Sequence, residues 1–375
     1  MTSTESGRPA RKATARAQRI ATLRSSYQSE LADGTGRFFE PRRADCPWCG
    51  STSLRVRLRT TDLLQHKPGS FTLNECRGCG HVFQNPRLTT AGLDFYYRDF
   101  YDGLGEQRLG AAFGMRTATY RNRARTVVPF AAVPHSWLDV GTGHGHFCET
   151  AHAIFPEASF DGLDLTEGVQ LAERLGRVTH GFRGSFPELA PELAGRYDVV
   201  SMFHYLEHTA DPQKELLAAR QALRPGGLLL VEVPDPRCRY ARLLGRWWLP
   251  WLQPQHLNMM PAPNLRQRLT DLGFTVLLEQ HDKPHDAGDL LGACWLLLDA
   301  LAPREDAPWL PGTPPGRVRR AWRDLLLLTG VPVLLLAALL DHLIAPFAHR
   351  AGLSNAYRLL ARREAPAASR GDGSP

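Results

Sequence analysis

Lysine, a disulfide-type cysteine pattern and an apolar N-terminal segment are scarce or missing in this chain of 375 residues. Its lysines are only Lys12, Lys67, Lys214 and Lys283, so nearly all of the 45 basic residues are arginine. The net charge of +7 is therefore weak support for nucleic-acid binding. The seven cysteines are too few and too unevenly spaced for a disulfide framework, which favours a reducing, cytoplasmic compartment. Residues 1–40 hold no apolar core of the kind that a secretory signal needs.

The composition is that of a globular protein. With 43% hydrophobic and 22% charged residues, it excludes wholesale disorder, a collagen-like repeat and a small disulfide scaffold.

The charge is unevenly distributed along the chain, because the first 130 residues carry 21 basic and 11 acidic side chains and the rest carry 24 basic and 27 acidic ones. We expect a basic N-terminal module on a nearly neutral core. Within it, we expect residues 1–40 to be a disordered basic tail, either without a dedicated role or directed at an anionic partner.

Two CxxC pairs dominate the N-terminal third: Cys46 with Cys49, and Cys76 with Cys79. Two intervening residues let both thiolates of a pair face one tetrahedral centre, and the glycine after each pair eases the turn. Four sulfur ligands leave no position for water, so we expect a structural Zn²⁺ in preference to free, scattered thiols. Alternating residues between the pairs predict a short antiparallel ribbon. We expect a zinc-binding ribbon over residues 41–100 and a linker helix over 101–128.

A glycine-rich turn follows the first strand predicted in the next unit. Residues 136–140 have the pattern of a buried strand, and Gly141, Gly143 and Gly145 lie between them and a helical pattern. A lone GxGxG turn is weak evidence, because glycine clusters also form plain turns. A second predicted strand ends in Asp164, 19 residues after the last glycine, the spacing at which an acid meets a ribose diol. The glycines would let the backbone approach a ligand, and Asp164 would accept two hydroxyl hydrogen bonds.

Strands and helices keep alternating beyond this turn. Residues 197–203 have the pattern of a strand, and Asp211 followed by Pro212 predicts the start of a helix. Residues 228–233 have the pattern of another buried strand. The alternation predicts a doubly wound parallel α/β sheet.

In these segments the chain resembles the class I S-adenosylmethionine (SAM)-dependent methyltransferases. The resemblance rests on four segments in the order and spacing of that family: LDVGTGHG (138–145), DGLDL (161–165), YDVVSMFHYLEH (197–208) and ALRPGGLLLVEVP (222–234). It implies a Rossmann-like, SAM-binding core over residues 129–280. A dinucleotide oxidoreductase would have GxGxxG instead. The implied SAM contacts are Asp139, Gly141, Gly143 and Gly145 at the methionine part, Asp164 at the ribose, Ser185 at the adenine and Phe203 near the sulfonium.

Three histidines are candidates for the residue that deprotonates the methyl acceptor. His204 and His208 follow the fourth predicted strand, and His256 follows the fifth. Methyl transfer is an in-line displacement, so an enzyme mainly aligns the acceptor and removes its proton. We expect His256 to be the base, with His204 second. His208 suits a positioning role equally well, because the resemblance gives it that role in other methyltransferases.

The acceptor is expected to be a small molecule. Sugar C-methyltransferases of antibiotic pathways also join a double-knuckle zinc domain to this core, so the chain is similar to sugar and natural-product methyltransferases. Their segment after the fifth strand has a Glu-His pair where this chain has Gln255 and His256, which makes oxygen methylation at least as plausible as carbon methylation. A zinc-ribbon ribosomal RNA methyltransferase and a non-catalytic SAM-binding partner stay open. The absence of an Asn-Pro-Pro-Tyr type of motif argues against nucleic acid.

A hydrophobic segment lies near the C-terminus. Residues 325–340 are uncharged, but these 16 residues are fewer than the ~18 to 20 of a membrane-spanning helix, and Gly330 and Pro332 predict a break. A buried or lid helix pair is one interpretation. The other is a monotopic surface that contacts a bilayer and suits a lipid-linked substrate. The expected divisions are a helical insertion over 281–353, a final core strand within 354–365 and a disordered tail over 366–375.

Overall fold

The computed structural model describes residues 7–98, 117–130, 133–310, 312 and 316–365. The strands in this part of the chain are β1 Leu54–Thr60, β2 Phe71–Cys76, β3 Val82–Gln84, β4 Ser136–Val140, β5 Ser159–Asp164, β6 Gly181–Arg183, β7 Tyr197–Phe203, β8 Leu223–Pro234, β9 Asn258–Met259, β10 Phe274–Gln280 and β11 Ala356–Arg363. The α-helices are α1 Gly7–Leu31, α2 Thr90–Tyr97, α3 Thr117–Arg125, α4 His146–His152, α5 Gly168–Arg174, α6 Phe186–Leu189, α7 Pro212–Ala222, α8 Arg239–Leu243, α9 Ala262–Asp271, α10 Asp289–Leu301 and α11 Arg317–Ile344.

The larger sheet has seven strands in the order β10-β11-β8-β7-β4-β5-β6. The run from β8 to β6 is parallel, whereas β11 is antiparallel to both of its neighbours. Successive side chains of a strand point to opposite faces, so Leu138 and Val140 join one buried cluster while Trp137 joins another. A hydrophobic core therefore covers each face of the sheet. The structure confirms the predicted doubly wound α/β fold.

The second sheet joins the cysteine-rich region to the core. Its order is β1-β2-β3-β9, and β9 belongs to the segment that follows β8. Val82 and Phe83 of β3 pair with Met259 and Asn258 of β9. The sequence predicts an antiparallel ribbon here but gives no sign that a core strand completes it. The cysteine-rich ribbon is thus continuous with the part of the core that contains His256.

The prediction of a disordered N-terminal tail is wrong for the described residues, because Gly7–Leu31 form the helix α1. Ile20 and Tyr27 of this helix are 2% and 1% exposed, and their spacing of seven positions places both side chains on one face. Tyr27 packs against Phe95 and Trp309, and Arg24 pairs with Asp306 at 2.5 Å. Tertiary contacts with distant segments thus hold a basic segment that has too few apolar residues to fold alone. Residues 1–6 lie outside the described part, as do 101–116 of the expected linker helix and the expected tail at 366–375.

The prediction that the helix breaks at Gly330 and Pro332 is also wrong, because α11 continues through both residues. The missing hydrogen-bond donor of Pro332 is tolerated where α11 packs along α10. A Cβ on Gly330 would lie 2.6 Å from Leu298 Cδ1, so glycine permits the close approach of the two helices. By length and composition alone, Arg317–Phe347 could cross a membrane, and 17% of its most apolar window is buried.

Candidate functional site

The turn after β4 is held over the end of β5. The amides of Gly141 and Thr142 donate to the carbonyl of Leu163 at 2.8 and 3.2 Å. Gly143 has a φ of +53°, and a Cβ added there would meet nothing within 4 Å. Its backbone therefore faces open space in a conformation that favours glycine. Gly145 has a φ of +74° and is the N-cap residue of α4. This open cradle at the carboxyl edge of a parallel sheet fits the predicted SAM site.

Asp164 ends β5 beside the cradle. Its Oδ2 accepts a hydrogen bond from the Gly143 amide at 2.9 Å, and its Oδ1 accepts from both the amide and the hydroxyl of Thr166 at 2.8 Å. A carboxylate offers about four lone-pair positions. One position on Oδ2 is therefore left for a ligand hydroxyl, whereas the sequence predicts two such bonds.

The other three predicted SAM contacts differ in exposure. Asp139 is 3% exposed, its Oδ1 accepts a hydrogen bond from Ser201 at 2.6 Å, and burial raises its pKa to about 6. It supports the turn from the interior. Phe203, at the end of β7, is half-buried and packs against Phe147 with ring centroids 4.7 Å apart. Ser185 precedes the short helix α6 without a capping hydrogen bond.

A buried ionic network that the sequence does not predict underlies the end of β7. Glu232 of β8 is 1% exposed and accepts hydrogen bonds from Arg123 at 2.5 and 3.0 Å and from Arg358 at 2.6 and 2.8 Å. Burial alone would raise the pKa of Glu232, but Arg123, His204 and Arg358 together hold it well below its usual value. An acid in the apolar run LLLVEVP is the signal that points to such a network.

His204 connects this network to the site. It has a φ of +52°, a left-handed conformation that costs energy for a side chain with a Cβ. Its Nδ1 lies 3.1 Å from Glu207 Oε1 and its Nε2 lies 3.4 Å from Glu232 Oε1. Burial alone would lower its pKa, but these two carboxylates outweigh burial and raise the pKa to about 9. His204 is therefore a cation at neutral pH and a poor proton acceptor.

His208 and His256 come together although 48 positions separate them in the sequence. Their rings are perpendicular with centroids 4.5 Å apart. Nδ1 of His256 lies 2.7 Å from the Pro250 carbonyl, which only accepts, so this nitrogen carries the proton. Nδ1 of His208 lies 2.7 Å from the hydroxyl of Tyr97. The Nε2 atoms of both rings are thus left for other partners.

Burial makes both of these histidines neutral. It lowers the pKa of His208, and burial together with the neighbouring His208 lowers the pKa of His256 to about 3. Glu207, which is fully buried, lies beside them, and each of the three offers a ligand atom within 4.8 Å of the others. Such a set could bind a cation or transfer a proton. The sequence points to all three histidines but not to Glu207 or Tyr97 as their partners.

The four cysteines predicted to bind metal converge in the ribbon. Their Sγ atoms all lie within 4.8 Å of one another, with Cys46 to Cys79 at 3.8 Å and Cys49 to Cys76 at 3.6 Å. Tetrahedral Zn–S bonds of ~2.3 Å place sulfur atoms ~3.8 Å apart, so the donor set fits Zn²⁺. The glycines after the pairs, Gly50 and Gly80, have φ values of +73° and +76°. Their left-handed conformation closes each turn, as the sequence pattern indicates.

The ribbon also positions the segment around His256. The amide of Gln84 in β3 donates to the Leu257 carbonyl at 2.9 Å, and its side chain donates to Gln253 at 2.9 Å. His81, which follows the second cysteine pair, lies 3.1 Å from Asn258 Oδ1. Leu257 in turn donates its amide to the Glu207 carbonyl at 2.7 Å. Backbone hydrogen bonds thus connect the ribbon, the His256 segment and the end of β7.

Residues 114–279 match a family model described as a methyltransferase domain. They are a class I methyltransferase domain. The match contains the glycine cradle, Asp164 and all three histidines, and it begins after the cysteine-rich ribbon. The resemblance seen in the sequence is thereby confirmed for the core.

Known relatives resemble this domain over part of their length. A ubiquinone biosynthesis O-methyltransferase of Aromatoleum aromaticum is 35% identical over 95 residues, 24% of this chain and 40% of that protein. The enzyme of the same description from Azotobacter vinelandii is 30% identical over 125 residues, 32% of this chain and 53% of that one. The chain therefore spans about half, or less, of these relatives. A solved SAM-dependent methyltransferase from Archaeoglobus fulgidus is 15% identical with a TM-score of 0.42, covering 72% of this chain and 99% of that one.

Proposed function

We propose that this protein is a SAM-dependent methyltransferase that methylates an oxygen atom of a small molecule, with a sugar, glycan or natural-product hydroxyl as the acceptor. The observation that carries the proposal is the open glycine cradle at Asp164, beside which β7 leads into the histidine cluster. The relatives described as O-methyltransferases support oxygen as the acceptor atom. Carbon methylation of a deoxysugar is the alternative within this proposal.

Two groups of residues at the carboxyl edge of the sheet would have different roles: one group would bind SAM, and the other would transfer the acceptor's proton. SAM would supply an electrophilic methyl group on a sulfonium. Gly141, Gly143 and Gly145 would hold its methionine part through the backbone, and Asp164 would accept one ribose hydroxyl through Oδ2. Phe203 would cover the sulfonium side from the end of β7, and Ser185 lies on the element assigned to the adenine. Asp139 accepts a hydrogen bond from Ser201 of β7 and so holds the end of β4, just before the turn, from the interior.

We assign the proton transfer to His208, with His256 behind it. The sequence ranks His256 first, but a pKa of about 3 makes His256 a weak base. His208 is less buried and is held at Nδ1 by Tyr97, so its neutral Nε2 can accept the acceptor's proton. His204, kept protonated by two glutamates, positions the turn after β7.

Two further parts of the proposal concern metal and location. The four cysteines would bind one structural Zn²⁺, since their sulfur separations match its tetrahedral geometry. We place the protein in the cytoplasm, with the α10–α11 hairpin lying on a membrane surface. A row of exposed leucines on α11 and the arginines at its start support this arrangement, and it suits a lipid-linked acceptor.

The test is calorimetric SAM binding followed by transfer of a labelled methyl group from SAM to a panel of catechols, nucleotide sugars and polyprenyl-linked sugars. We expect Asp164→Ala to weaken SAM binding at least tenfold, because the side chain that holds the turn and the ribose is lost. Asp282→Ala, in an exposed loop, should leave binding unchanged. No SAM binding by the wild type would refute the proposal. SAM binding without transfer to any acceptor would favour the non-catalytic partner, and transfer only to RNA would favour the RNA enzyme.

A further inference from the structure

A basic cleft lies between the cysteine-rich ribbon and the segment that follows β8. Its volume is about 490 Å³, and five arginines and one carboxylate line it: Arg55, Arg57, Arg77, Arg237, Arg242 and Glu75. Two separate segments supply the positive charge: Arg55, Arg57 and Arg77 belong to the ribbon, and Arg237 and Arg242 follow β8. The cleft thus brings arginines of the basic N-terminal third together with two arginines from a distant part of the chain.

The single carboxylate neutralises only part of this charge. Glu75 accepts hydrogen bonds from Arg55 at 2.7 and 3.2 Å and lies 3.9 Å from Arg57. Within the described residues, neither Arg77 nor Arg242 has a carboxylate oxygen within 4.0 Å. Four positive charges therefore remain in excess, and within the described residues three of the guanidinium groups, those of Arg77, Arg237 and Arg242, are in no ion pair.

Other contacts hold the cleft in a defined shape. Arg57 donates to the Ala241 carbonyl at 3.4 Å, and its guanidinium carbon lies 5.7 Å from the ring centroid of Trp251. Arg237 donates to the Cys79 carbonyl at 3.4 Å and lies against Gly80, where a Cβ would come within 2.9 Å of its Nη2. Planar guanidinium groups held in this way match the paired oxygens of a phosphate.

The position of the cleft relates it to the acceptor rather than to SAM. Pro236 and Arg237 come directly after the carboxyl end of β8, whereas the SAM cradle follows β4. β7 lies between β8 and β4 and leads into the histidine cluster. Ligands of open α/β sheets bind along this carboxyl edge. A molecule extending along the edge from the histidines would therefore enter the cleft at Arg237.

We infer that this cleft binds a phosphate or diphosphate group carried by the methyl acceptor. The inference rests on the proposed function, because it treats the cleft as part of the acceptor site. Two sources share this chemistry, a nucleotide-linked sugar and a polyprenyl phosphate. The lipid source gains support from α8, whose Tyr240 and Ala241 share a buried cluster with Leu290 of the hairpin.

The test uses the full, zinc-loaded chain and inorganic pyrophosphate as the probe. We expect pyrophosphate to bind the wild type and to bind at least tenfold more weakly after Arg77→Gln with Arg242→Gln. Neither side chain has an ion-pair partner in the described residues, so folding should be retained. The matched control is Arg121→Gln with Arg174→Gln, two exposed arginines on α3 and α5. Equal pyrophosphate binding by wild type and cleft variant, or none by the wild type, would overturn the inference.

Competition separates the sources of the phosphate. Displacement of pyrophosphate by uridine diphosphate supports a nucleotide-linked acceptor, and displacement only by phosphatidylcholine vesicles containing a polyprenyl phosphate supports a lipid-linked one. Binding of a single-stranded RNA that pyrophosphate does not displace overturns the inference in favour of nucleic acid. SAM binding is measured in parallel. The cleft variant should bind SAM as the wild type does. If the wild type binds SAM but not pyrophosphate, only the inference about the cleft fails; if it does not bind SAM, the proposed function fails.

Discussion

At the scale of single residues, burial and pairing give three neighbouring histidines different charges. His204 contacts two carboxylates and is protonated, whereas His208 and His256 face each other and are neutral. The sequence places all three near the carboxyl edge and ranks His256 first, but it does not reveal their charges, which depend on burial and on contacts with Glu207 and Glu232. Glu232 is fixed by Arg123 and Arg358, which lie 235 positions apart in the sequence.

Replacing His208 with Gln should separate proton transfer from SAM binding. We expect the methyl-transfer rate to fall ~100-fold or more, the usual contribution of a general base, while the Kd for SAM stays within a factor of about two. His256→Gln should cost less, because its pKa of about 3 makes it a weak base. The rates are compared across pH 6 to 10 with an acceptor found in the panel. A larger loss for His256→Gln at every pH would return the role of base to His256.

The charge of His204 predicts a dependence of stability on pH. Its pKa is raised in the folded protein to about 9 from an ordinary value of about 6.5. Its stabilising contribution is therefore complete below pH ~6.5 and is lost as the pH rises through ~9. The side chain is 37% exposed, so screening limits the effect to the order of 1 kcal/mol.

Urea unfolding of wild type and His204→Gln measures this effect. The difference in the free energy of unfolding between the two proteins should shrink between pH 6.5 and 10, because the wild type loses its ion pairs with Glu207 and Glu232. His152→Gln, on the exposed side of α4, should show no such trend. A difference that stays constant with pH would contradict the assigned charge.

At the scale of elements, the ribbon and the core depend on each other. β9 pairs with β3, and the same segment carries His256 and connects to Glu207. Strand periodicity predicts β4, β5, β7 and β8 from the sequence, since each is long and apolar. It cannot predict β9, because a two-residue strand has no period and is defined only by its partner.

Loss of the proposed Zn²⁺ should therefore affect the site as well as the ribbon. We expect Cys76→Ser to remove the one bound zinc per chain and to lower the melting temperature. We also expect weaker acceptor binding, since β3 no longer supports β9. Metal analysis, thermal unfolding and methyl transfer measure the three effects. Cys294→Ser, in α10 and outside the cluster, is the matched control. A zinc-free Cys76→Ser protein with the wild-type melting temperature would contradict the structural role.

At the scale of the whole molecule, the hairpin of α10 and α11 gives the surface an unusual apolar area. Leu328, Leu335 and Leu339 are 69%, 66% and 53% exposed. Polar contacts fix the hairpin to the rest of the protein, since Trp248 donates to Asp289 of α10 at 2.7 Å and His66 Nε2 lies 2.6 Å from Asp299 Oδ2. Within the hairpin, Asp341 caps the start of α10 through two backbone amides and Arg323 pairs with Asp299. A fixed apolar face with arginines at one end is suited to an anionic membrane surface.

We expect the protein to bind vesicles of phosphatidylcholine with phosphatidylglycerol in a flotation assay. The variant Leu328→Ser/Leu335→Ser/Leu339→Ser should lose at least tenfold in partitioning, because it removes apolar area that enters the bilayer. The matched control is Leu165→Ser/Leu175→Ser/Leu217→Ser, three leucines exposed elsewhere. Equal flotation of both variants, or none by the wild type, would contradict membrane attachment.

The sequence by itself determined the doubly wound sheet, the glycine turn with its acid and the four-cysteine set, because each depends on local periodicity or fixed spacing. Only the tertiary structure decided that α1 folds, that α11 continues through Pro332 and that Glu207, His208 and His256 meet. These features depend on contacts between distant segments, which leave no periodic signal. The charges of the histidines and the arginine cleft were also decided only by the tertiary structure. Electrostatic interactions depend on distance in space rather than on separation along the chain.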